Sequence, residues 1–115
     1  MAEVIFYYTE RGNSEVEKAL TQLNESSKKG NRQATAALEA IEYSIDKVEH
    51  GMPHTRQLEG PLYEIRAKRY RITYFRWKGY IVLLTIFVKS TQQTPRSEID
   101  RARKRMKDWI VRNGS

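Results

Sequence analysis

Cysteine is missing from all 115 residues, and histidine occurs twice and proline three times. Without thiols there is no disulfide framework and no thiolate metal site, which suits a reducing compartment. Two histidines without clustered carboxylates make a poor metal-ligand set. No apolar run approaches the ~20 residues that a bilayer-spanning helix needs. The opening Met1-Ala2-Glu3-Val4 has neither a basic leader nor a long apolar core, so no secretory signal is expected and a cytoplasmic location is. The glycine-rich phosphate loop and the nucleophile elbow are also missing.

Charge, in contrast, is plentiful and uneven. The net charge is +7, with 21 Lys/Arg against 14 Asp/Glu. Residues 1–53 sum to −3 and residues 54–115 to +10. A C-terminal half this cationic attracts phosphates and is steered toward them at low salt. Nucleic acid or the ribosome is the natural partner, and an acidic protein is the alternative. The length fits one domain, here taken as 1–115, built round one core.

Residues 4–8 are β-branched and aromatic, a short strand. Ser14-Glu15-Val16-Glu17 spells a capping box, and Val16, Leu20 and Leu23 then share a helical face. Ser26 to Gly30 ends that helix. A second spans 31–50, with Leu38, Ile41, Ile45 and Val48 in one stripe, His50 last, and Gly51 and Pro53 as stop signals. The period then changes from 3.6 to 2. Gln57 to Pro61 reads as an edge segment and turn, and strands follow over 62–68 and 70–77. Lys78-Gly79 makes a hairpin turn into the all-apolar strand 80–88. Thr94 is predicted as N-cap and Pro95 as first residue of a last helix, striped by Ile99, Ala102, Met106 and Ile110. The order implies an α+β fold: a small, mainly antiparallel sheet with two N-terminal helices and a C-terminal helix packed on it.

Alternation places Arg66 and Lys68 on the sheet face opposite Tyr63 and Ile65. Arg71 joins them if the tight 68–70 connection sets that register, and Lys89 leaves the next strand nearby. Such a set suits an anion, because guanidinium stays charged and grips two phosphate oxygens at once. The interleaved aromatics Tyr63, Tyr70, Tyr74, Phe75, Trp77 and Tyr80 belong mostly to the core. A free imidazole ordinarily titrates near neutrality, so His54 is a candidate proton carrier. The carboxylates fall mostly on the N-terminal helices and read as solvated surface.

An ordered set of segments carries a family resemblance: Leu58 to Arg66, Tyr70 to Phe75, Ile81 to Leu84, Phe87-Val88-Lys89, Thr91-Gln92, Thr94-Pro95 and Glu98 to Ala102. Over about residues 54–107 the chain resembles the HigB branch of the RelE/ParE toxin superfamily, a branch that includes phage-derived proteins. The resemblance implies the toxin of a type II toxin–antitoxin pair. Many relatives are endoribonucleases that cut messenger RNA on the ribosome, without a metal or cofactor, by attack of a ribose 2′-OH on the adjacent phosphate. The implied partners are an antitoxin of helix-turn-helix type, the ribosome and messenger RNA. Arg66, Arg71 and Lys89 fall at the family-like catalytic positions. Lys68, Thr91, Gln92, Arg96, Arg101 and Lys104 are expected RNA contacts. Relatives often carry a histidine near Thr85, and lysine where Ser90 and Gln93 stand. The superfamily also includes ParE-like toxins that bind gyrase without catalysis, and a non-toxic basic binding module is a further alternative.

Overall fold

A computed structural model describes residues 3–52 and 55–114. Pro53 and His54, with the roles expected of them as helix stop and proton carrier, lie outside the described residues. The elements run β1 (Glu3–Phe6), α1 (Glu15–Lys28), α2 (Arg32–Glu49), β2 (Thr55–Glu59), β3 (Leu62–Ala67), β4 (Tyr70–Trp77), β5 (Tyr80–Val88) and α3 (Arg96–Asn113). They form the expected α+β fold. The five-stranded sheet has order β1-β5-β4-β3-β2; β1 lies parallel to β5 and every other pair is antiparallel.

Local chemistry sets the ends of the elements. The Ser14 hydroxyl accepts from the Glu17 N–H at 3.2 Å, half of the expected capping box. The other half is not made, because the Glu17 carboxylate accepts from the Tyr8 hydroxyl instead. The α1 helix runs through Ser26 and Ser27 and stops only at Lys29, before Gly30 at φ 91°. Asn31 caps α2 through the Ala34 N–H, and His50 is the residue that closes it. Lys78 and Gly79 both take positive φ (47° and 84°), which a tight hairpin of matching twist requires.

The central sheet is covered on both sides, so apolar side chains pack in two layers where length alone suggested one core. On one face Val16 of α1 and Ile41 and Val48 of α2 meet Ile65, Ile72, Tyr74 and Leu83. On the other, Ile99, Ala102 and Met106 of α3 meet Leu62, Phe75, Val82 and Leu84. Ile65, Ile72 and Leu83 are fully buried, each worth about 1.5–3 kcal/mol of transfer free energy. The aromatics interleaved with the cations all pack into these layers, as expected.

Candidate functional site

The helix α3 packs on one end of its sheet face only. At the other end, Glu64, Arg66, Arg71 and Phe87 line a cleft walled by the 89–95 loop. Arg66 and Arg71 are directly opposed on β3 and β4, and Arg71 is opposed in turn to Phe87 on β5. The β4–β5 register shifts between Thr73 and Tyr74, so β5 carries one extra residue there. Buried Thr85 faces Thr73, their hydroxyls 2.6 Å apart.

The two arginines differ in environment. Arg66 is exposed. Arg71 is 7 % exposed and Glu64, at 2 %, lies beside it, with Nε to Oε1 at 3.9 Å. Arg71 Nη1 donates to the carbonyls of Lys68 (2.7 Å) and Tyr70 (2.8 Å). Burial, and then the charge of Arg66, push the Arg71 pKa below the usual arginine value, and the Glu64 carboxylate opposes that shift. Two guanidiniums face to face on adjacent strands repel. An anion placed between them would relieve that repulsion.

Glu64 also accepts a 2.7 Å hydrogen bond from the Thr94 hydroxyl. This accounts for a departure from the expected helix start. Thr94 does not cap α3; Pro95 is the capping residue, without a side-chain cap bond, and the helix begins at Arg96. The hydroxyl instead ties the loop to the cleft floor. Lys89 closes the other end of the loop, its N–H donating to the Arg69 carbonyl at 2.6 Å. The loop is thus anchored where it begins and where it ends.

Of the residues singled out in the sequence, Arg66, Arg71, Lys89, Thr91 and Gln92 line this one cleft. Its enclosed part is only about 10 Å3. A wider recess of about 530 Å3 opens beside it, sharing Arg71, Lys89, Thr91 and Gln92 and adding Lys68 and Arg69. Arg96, Arg101 and Lys104 lie apart on α3. Arg96 pairs with Glu59 and Asp100, and Arg101 pairs with Glu15 and Glu98. Lys104 is exposed. Sequence reasoning missed Arg56 and Glu64. Arg56 reaches the cleft because β2 pairs it with Glu64, and no local pattern in β2 marks that register. Glu64 had a signal, since it alternates with Arg66, but its burial did not. Among the described residues no group of three or more His, Cys, Asp or Glu is placed to hold a metal ion.

Comparison with known proteins follows the same segments. The family model described as phage-derived protein Gp49-like (DUF891) matches residues 21–107, a span that contains every described cleft residue named above. The chain is similar to a protein named probable endoribonuclease HigB1 in two strains of Mycobacterium tuberculosis, CDC 1551 / Oshkosh and ATCC 25618 / H37Rv. Identity is 34% over 58 residues, covering 47% of this chain and 46% of each relative. The chain thus spans about half the length of the curated relatives it matches. With the matched span running from α1 through most of α3, the chain belongs to the phage-derived Gp49-like family of RelE/HigB-type toxins.

Proposed function

We propose that this protein is the toxin of a type II toxin–antitoxin pair and acts as a ribosome-assisted endoribonuclease on messenger RNA in the cytoplasm, held in check by a helix-turn-helix antitoxin. The observation that carries this reading is the direct opposition of Arg66 and Arg71 in a cleft that also receives Lys89. The HigB1 relatives, named as endoribonucleases, support it. No described helix is long and apolar enough to cross a membrane.

The reaction is a transesterification. A ribose 2′-OH attacks the neighbouring phosphorus, the bond to O5′ breaks, and a cyclic phosphate and a 5′-hydroxyl result. The transition state carries more negative charge on the phosphoryl oxygens than the substrate does. Preorganised cations aimed at that charge lower the barrier. Arg66, exposed at the cleft mouth, grips those oxygens. Arg71, held by two carbonyls and Glu64, presents its remaining N–H groups in a fixed orientation. Lys89 neutralises charge on the departing O5′ or delivers a proton to it. His54, next in sequence to β2, is the candidate proton carrier.

The test is induction of the wild-type chain and of Arg66→Ala in cells, followed by sequencing of RNA 5′ ends. Wild type arrests growth and produces new ends within translated codons, and Arg66→Ala does neither. Arrest with intact messenger RNA and a DNA-damage response would instead mean a gyrase-binding toxin.

A further inference from the structure

We infer that the RNA strand leaves the cleft over the β3–β4 turn and seats a flanking nucleotide in the groove between that turn and the α1–α2 pair. This rests on the ribonuclease reading above. The groove, about 540 Å3, is bounded by Leu23, Ala34 and Ala37 on the helices and by Tyr70 and Val88 on the sheet. Lys68 and Arg69 line both this groove and the recess that holds Arg71 and Lys89. The two spaces therefore adjoin at the turn, which lines both.

Charge separates this route from the other obvious one, along α3. There the guanidiniums of Arg96, Arg101, Arg103, Arg105 and Arg112 are each paired with a carboxylate. No carboxylate lines the recess or the groove among the described residues. On α3 the exposed Lys104 and Lys107 keep their charge, but the uncompensated cations that adjoin the cleft follow the turn, and a polyanion follows them.

The turn is also held in place for the purpose. Lys68 has φ 55°, a left-handed conformation unfavourable for a side chain with a Cβ. The backbone around it is fixed by two cleft residues: the Arg71 guanidinium donates to the Lys68 and Tyr70 carbonyls, and the Lys89 backbone N–H donates to the Arg69 carbonyl. The Arg71 side chain in the cleft thereby also sets the position of Lys68 and Arg69. Beyond them, Tyr70 and Val88 are cross-strand partners, and Val88 is 51 % exposed although it ends a buried strand. An apolar plate behind a cationic rim is what a base and its phosphate require.

The test uses fluorescein-labelled oligoadenylates, 2′-O-methylated so that they resist cleavage, as a trimer and a nonamer, titrated against the full chain at several salt concentrations. The nonamer binds more tightly, with a steeper salt dependence. Arg69→Ala lowers the slope for the nonamer by about 0.7, the value for one phosphate contact on a single strand. Val88→Glu, at a half-exposed position, weakens the nonamer ~10-fold and the trimer less. Equal affinities and slopes for the two lengths, or equal losses in both variants, overturn the route while leaving the cleft intact. Loss of antitoxin binding in Val88→Glu with RNA binding retained makes the groove a protein-docking surface and also overturns it. Failure of the wild type to bind either oligonucleotide overturns the route, while the RNA 5′ ends from induced cells decide the ribonuclease reading separately.

Discussion

At the scale of the residue, Arg66 and Arg71 are equivalent in sequence but not in role. Removing Arg66 takes away an exposed cation that faces another cation. Arg66→Ala should therefore leave stability unchanged or raise it by ~0.2–1 kcal/mol, the worth of a relieved like-charge pair, while activity falls ~100-fold or more. Removing Arg71 strips the Lys68 and Tyr70 carbonyls of a donor and leaves the Glu64 carboxylate, 2 % exposed, beside a void. Breaking such a buried pair costs about 3–5 kcal/mol, so Arg71→Ala loses fold and activity together. Urea unfolding of both variants, set beside RNA cleavage, separates these outcomes; equal destabilisation by both would refute the distinction. Alternation along β3 and β4 made the shared face of the two arginines legible. It did not reveal that Glu64 is sealed beneath them, because burial there depends on Thr94, 30 residues away.

At the scale of the element, α3 is clamped to the sheet edge by Glu59, which accepts from Arg96 and Arg103. Those hydrogen bonds, from Arg96 first, hold the Glu59 carboxyl at about 2 against an ordinary 4.5. A carboxyl with a depressed folded-state pKa adds stability that is complete above its unfolded value and vanishes as pH falls through the folded one. Melting temperature should thus fall between pH 4.5 and 2, and Glu59→Gln should flatten part of that fall. The clamp is solvent-exposed, so salt near 1 M should shrink the difference between variant and wild type. Identical melting profiles for the two proteins at low salt would show that Glu59 holds nothing. The start of α3 marks the limit of local reading. Thr94-Pro95 has the sequence of a cap, yet a buried carboxylate competed for the threonine hydroxyl and won. Elements whose signal lies within them came closer: α2 covers the expected stretch and sets Ile41, Ile45 and Val48 of its stripe in the core, though Leu38 is only partly buried and Ala34 and Ala37 are buried instead.

At the scale of the molecule, the charge asymmetry between the chain's halves is partly consumed by folding. Glu15, from the acidic half, pairs with Arg101 and Arg105 across 86 and 90 residues, and its pKa is lowered below the ordinary value. Composition announced a basic half but not which cations the fold would neutralise, since that depends on contacts between distant segments. Arg66, Lys68, Arg69 and Lys89 remain gathered around the cleft and turn. A small polyanion that binds only the folded state raises stability by RT ln(1 + [L]/Kd), about 2.7 kcal/mol at a hundredfold excess over Kd. Tripolyphosphate at low salt should therefore raise the melting temperature of the wild type. The rise should shrink in Arg66→Ala and persist in Lys104→Ala, whose exposed ammonium lies on α3. A rise that survives Arg66→Ala and disappears in Lys104→Ala would move the anion site to α3, and the catalytic assignment of the cleft would fall with it.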